Sequence, residues 1–160
     1  MGNGFGTFIK SVNWIEVKNN FLLSIGENYI VITLGMDNDI LLNEEVVEKN
    51  ENSDKLLNLK IFSGNIRHGN FTFSPDKSPI IIGRSPDCDI CIDDGMLSRF
   101  HCTIEYRNDK WCLKDGKLEG DKVKKSTNGT WIYAYEDTMI CEGMIFKANH
   151  NLFICSFGKE

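Results

Sequence analysis

Apolar and polar positions along this chain change places quickly, and no stretch keeps a helical period. From Leu56 onward, short apolar runs recur at close spacing: Leu57–Ser63, Asn70–Phe73, Ile80–Gly83, Asp89–Ile92, His101–Tyr106, Lys110–Lys114, Gly129–Tyr133, Met144–Phe146 and Asn151–Phe157. Gly, Pro, Asp and Asn stand between them, which predicts strands joined by turns and an all-β sandwich. Cys88, Ile90 and Ile92 alternate with Asp89, Cys91 and Asp93, as a half-buried strand requires. Ile80-Ile81-Ile82 does not alternate and is expected to be buried on both sides. Upstream, Trp14–Val17, Phe21–Ile25 and Tyr29–Leu34 also read as strands, and Gly26-Glu27-Asn28 between the last two signals a hairpin. Asn43–Asp54 carries Glu44, Glu45, Glu48, Glu51 and Asp54 with few apolar residues, and reads as a solvated linker. The expected organisation is therefore a β-rich extension with an acidic linker over 1–54, followed by the sandwich domain over 55–160.

Composition narrows the function classes. A chain of 160 residues that is 41% hydrophobic has enough apolar material for a real core. No apolar run approaches the roughly 20 residues of a membrane span, so no membrane partner is expected. The opening residues lack the basic and apolar blocks of a secretory signal, and Gly6 stands where a myristoylation signal has Ser or Thr. Six cysteines without such a signal are expected to be reduced and mostly buried, which points to cytosol or nucleus. A net charge of −5 argues against nucleic-acid binding, which needs a basic footprint. Within 80–130, nine basic and nine acidic residues balance, so the acidity lies elsewhere.

Three polar clusters end apolar runs in that balanced segment: Gly83-Arg84-Ser85, Leu97-Ser98-Arg99-Phe100-His101 and Ser126-Thr127-Asn128-Gly129-Thr130. Guanidinium groups give a fixed fork of charged donors, and hydroxyls and a carboxamide add neutral ones. Such a set holds a phosphate without reacting with it. Because the clusters are distant in sequence, they can meet only on loops at one end of a sandwich.

In order and spacing, these clusters together with Cys88-Asp89-Ile90-Cys91-Ile92, Trp111-Cys112-Leu113-Lys114-Asp115 and Trp131 resemble the forkhead-associated (FHA) domain over roughly residues 56–157. The resemblance implies a sandwich of about eleven strands that binds phosphothreonine peptides without catalysis or cofactor, as an interaction module of a signalling protein. Arg84 and Ser98 would hold the phosphate, Arg99 would add charge, Thr127 would contact the phosphate region, and Asn128 would fix the peptide backbone. Gly83 and Gly129 would shape the backbone, and His101 would orient the serine loop from behind. Met96 would bear on the choice of peptide residue beyond the phosphothreonine, with Asp93 and Asp94 beside it solvated.

Other readings compete with this one. A phosphate-independent scaffold would use another face of the same sandwich. Ser98, His101 and Asp115 could be drawn as a hydrolase triad, but no oxyanion hole or nucleophile elbow accompanies them. Cys88 and Cys91 have a zinc-knuckle spacing, yet thiols three apart on a strand face opposite ways, so no metal is expected. The segment Asp115–Lys125 is longer and more charged than the family needs, and Lys122, Lys124 and Lys125 could extend a positive field around a phosphate.

Overall fold

The computed structural model describes residues 6–35, 53–64, 66–120, 122–135 and 137–158. Most of the acidic linker and the first five residues, which hold all but Gly6 and Thr7 of the stretch read for lipidation and a signal, lie outside them. The described residues contain no α-helix, only 3₁₀ turns at Ser53–Lys55 and Pro75–Lys77.

Four strands precede the linker: β1 (Thr7–Lys10), β2 (Ile15–Glu16), β3 (Phe21–Ile25) and β4 (Asn28–Leu34). After it come β5 (Leu57–Ser63), β6 (Ile66–Phe73), β7 (Ile80–Gly83), β8 (Ile90–Cys91), β9 (Cys102–Arg107), β10 (Lys110–Asp115), β11 (Lys117–Glu119), β12 (Lys122–Lys124), β13 (Trp131–Tyr133), β14 (Ile145–Ala148) and β15 (Asn151–Ile154). One sheet has the order β15-β14-β1-β13-β3-β4-β5-β6, and a second has β2-β10-β9-β7-β8. Strands β11 and β12 pair only with each other.

The strands before and after the linker share these sheets. β4 and β5 pair antiparallel from Asn28 opposite Ser63 to Leu34 opposite Leu57. β13, which directly follows the asparagine cluster, lies between β1 and β3. The core explains this sharing, because its residues come from both segments. Val17, Phe21, Leu23, Ile25, Ile30 and Ile32 pack in one cluster with Leu57, Leu59, Ile61, Ile80, Ile82, Ile104, Trp111 and Leu113. At ~25 cal/mol per Å² of apolar area, neither half would hold its inward face dry without the other.

The β3–β4 hairpin has a tight connection, Gly26-Glu27, with Ile25 opposite Asn28. Gly26 takes φ +53°, the left-handed turn conformation. Several details depart from the sequence expectation, and of the six cysteines expected to be mostly buried only Cys88 and Cys102 are. Ile81 is only half-buried, so the β7 isoleucines do alternate, with Ile80 and Ile82 fully inside. The charged segment after Asp115 is not a plain loop but the β11–β12 hairpin, with Leu118 opposite Val123 on one face and charged residues on the other.

Candidate functional site

At one end of the sandwich, the loops after β7 and before β9 are stitched together by their backbones. Arg84 N–H donates to Ser98 O at 3.1 Å, and Ser85 N–H donates to Arg99 O at 3.0 Å. The approach is so close that a Cβ on Gly83 would stand 2.3 Å from Arg99 O, so only glycine fits there. This closeness brings Arg84 and Ser98 to one wall.

His101 ties that wall to the third cluster. Its Nδ1 accepts the Ser98 N–H at 3.2 Å, and its Nε2 lies 3.1 Å from Gly129 O. These partners require a neutral imidazole carrying its proton on Nε2. Complete burial agrees, because desolvation pushes the His101 pKa below its ordinary value, more than the Gly129 carbonyl raises it. Ser98 then meets Thr127 directly: Thr127 N–H donates to Ser98 Oγ at 2.9 Å, and Ser98 Oγ donates to Thr127 Oγ1 at 3.3 Å.

The Ser126–Thr130 loop is shaped by Asp115, which the sequence marked only as the end of the Trp111–Asp115 motif and as a candidate triad member. Its carboxylate is 4% exposed and accepts from Ser126 N–H at 3.2 Å, Ser126 Oγ at 2.5 Å and Thr130 Oγ1 at 2.9 Å. Ser126 Oγ in turn accepts from Gly129 N–H at 2.9 Å. Gly129 has φ +80°, which a β-carbon would strain. The sequence signal for this role was a lone acid ending β10, three residues beyond Cys112 and facing the core alongside Leu113.

Asn128 reaches across the gap: its Nδ2 donates to Met96 O at 2.7 Å. The Met96 loop is itself pinned by Asp94, which is not the solvated acid expected from sequence. Asp94 Oδ1 accepts from Met96 N–H at 2.7 Å, while Oδ2 accepts from Glu27 N–H at 2.9 Å and Asn28 Nδ2 at 2.7 Å. The tip of the β3–β4 hairpin is thus bonded to the loop that carries Met96.

Arg84, Met96, Ser98, Arg99, Thr127 and Asn128 line one open groove of about 540 Å³, together with Phe100, Lys117, Glu119, Lys124 and Lys125. The arginines and Asn128 are exposed, and Ser98 is half-buried. Among the described residues, neither arginine has an ion-pair partner, so their charges face the groove. Lys117 escaped sequence reasoning; its Nζ lies 3.9 Å from the centre of the Phe100 ring, a cation–π contact that holds it at the rim.

The competing chemistries find a different geometry. Both His101 ring nitrogens face backbone groups rather than the Ser98 hydroxyl or Asp115, so these three residues form no proton relay. Cys88 Sγ donates to Arg99 O at 3.1 Å, whereas Cys91, exposed on the other face, is 3.7 Å from Arg84 O.

Residues 80–141 match the family model of the FHA domain. No curated protein and no solved structure gives a significant match to the chain. FHA domains are phosphopeptide-binding interaction modules without catalysis, and the matched segment holds all three polar clusters and both faces of the groove. With that match, an all-β sandwich around it and the loops gathered at one end, the chain carries an FHA domain.

Proposed function

We propose that this protein binds phosphothreonine peptides in the Arg84–Asn128 groove, as the non-catalytic recognition module of a signalling protein. The observation that carries the reading is a pair of guanidinium groups, without ion-pair partners among the described residues, beside a hydroxyl pair already in mutual contact. Ser98 Oγ and Thr127 Oγ1 share one hydrogen bond at 3.3 Å. An arriving phosphate offers stronger acceptors, so both hydroxyls turn toward it while Arg84 and Arg99 supply charge. Asn128, held by Met96 O, keeps its carbonyl oxygen for the peptide backbone, and its lost freedom has already been offset in the free protein. Gly83, His101 and Gly129 set the loop positions without touching the ligand. Met96, 50% exposed, offers an adaptable apolar contact to the peptide residue beyond the phosphothreonine. Six free cysteines, Cys102 among them buried with its thiol pKa pushed up, suit a reducing compartment, cytosol or nucleus.

The test is Arg84→Ala against a phosphothreonine peptide selected from a library. The expected loss is on the order of thirty- to several-hundred-fold in Kd, ~2–4 kcal/mol, with the melting temperature unchanged because Arg84 is exposed. A phosphoserine version of the peptide should bind several-fold more weakly, since one buried methyl contributes roughly 1 kcal/mol. Partner binding that survives both Arg84→Ala and dephosphorylation would assign recognition to another face of the sandwich.

A further inference from the structure

The groove carries more positive charge than one phosphothreonine can neutralise. Arg84, Arg99, Lys117, Lys124 and Lys125 line it, against the single carboxylate of Glu119, an excess of four. A phosphothreonine brings about two negative charges at neutral pH. Beyond the two arginines, the surplus comes from Lys117 and Lys124 on the β11–β12 hairpin and Lys125 directly after it, less Glu119.

That hairpin is built at a local disadvantage. Lys117 and Lys124 stand directly opposite each other in its antiparallel register. Like charges in that position repel, and a two-stranded ribbon that joins neither main sheet has little stability to spare. The partial relief is weak: Lys124 Nζ lies 3.8 Å from Glu119 Oε1 with both side chains at least half exposed, and Lys117 rests on the Phe100 ring. Lys125 has no ion-pair partner among the described residues. An anion seated between the Lys117 and Lys124 ammonium groups turns the repulsion into a clamp.

We propose that the β11–β12 hairpin is a second anion subsite, and that the preferred ligand is a peptide carrying a second phosphate near its phosphothreonine. This rests on the phosphopeptide reading of the Arg84 groove. A second phosphate matches the remaining charge, where a single carboxylate would leave about half of it uncompensated.

The experiment uses peptide pools with a fixed phosphothreonine and, at each flanking position in turn, phosphoserine, aspartate or serine, measured by fluorescence polarisation at about 0.1 M salt. At one or more positions phosphoserine should strengthen binding about tenfold over serine, and aspartate clearly less. In Lys117→Gln/Lys124→Gln the phosphoserine-to-serine ratio should fall to within about twofold of one, and Lys125→Gln should lower it partway. Arg84→Ala should weaken both peptides alike. Equal binding of phosphoserine and serine pools at every position, aspartate equal to phosphoserine, or a ratio that persists in both lysine variants would overturn the second subsite. If the wild type binds the singly phosphorylated pool in an Arg84-dependent way without any increment, only this inference falls. Failure to bind any pool removes the phosphopeptide reading and this one together.

Discussion

Replacing Asp94 tests whether the hairpin before the linker supports the binding loop. The Asp94 carboxylate accepts three hydrogen bonds, from Glu27 N–H, Asn28 Nδ2 and Met96 N–H, at 2.7–2.9 Å. Bonds to a charged acceptor contribute ~1.5–3 kcal/mol each when buried, and less at a half-buried site. Asn28, only 3% exposed, would be left with an amide lacking that acceptor. Allowing for non-additivity within one cluster, Asp94→Ala should lose about 2–3 kcal/mol, a fall in Tm of roughly 5–12 °C. Because Asn128 Nδ2 donates to Met96 O, a loosened Met96 loop should also weaken phosphopeptide binding severalfold. Urea denaturation and peptide titration on the same preparations read both effects. A double-mutant cycle with Asn28→Ala should return a coupling of about 1 kcal/mol. Gly26→Ala should weaken the same latch by another route, since its Cβ would stand 2.3 Å from Asp94 Oδ2 at φ +53°. Stability within about 0.5 kcal/mol of wild type and unchanged affinity for Asp94→Ala would refute the latch.

Acid should loosen the site through His101: its folded pKa lies below the ordinary 6.5, so the unfolded chain binds the proton first and stability falls as pH drops below that value. His101→Gln should flatten this slope in melting temperature against pH, and an unaltered slope would refute the assignment. Asp115→Ala should cost about 3–5 kcal/mol by leaving Ser126 and Thr130 without their acceptor, read as a lowered denaturation midpoint, with Asp115→Asn intermediate. A chain beginning at Lys55 should show no cooperative unfolding, because it lacks Val17, Phe21, Leu23, Ile25, Ile30 and Ile32 of the core and both neighbours of β13. A sharp melting transition from that fragment would show that the later strands suffice.

The candidate site was legible because its residues are contiguous in short motifs whose chemistry is local. A guanidinium after a glycine, hydroxyls at a strand end and an Asn-Gly turn announce themselves wherever they lie, and the groove gathers Arg84, Met96, Ser98, Arg99, Thr127 and Asn128. What supports them was less visible. Asp94 reads as one of two solvated acids until its three donors are seen, one of them 67 residues away. Asp115 reads as a strand-ending acid until Ser126 and Thr130 arrive on it. The β11–β12 hairpin was obscured by its own lysines, since three-residue strands with one apolar position each leave too little alternation to detect.

The sequence by itself determined the class of the fold and several of its strands, with Phe21–Ile25, Leu57–Ser63 and Ile80–Gly83 expected and found with the same ends. Period-two alternation and turn residues act within a few positions, so they are written locally. Only the tertiary structure decided which strands became neighbours. β1, unmarked in the sequence, lies between β13 and β14, joining residues separated by more than a hundred positions. Backbone hydrogen bonding accepts any strand as a partner. The choice among partners is made by burial of the two inner faces together, a property of the whole chain that no single stretch contains.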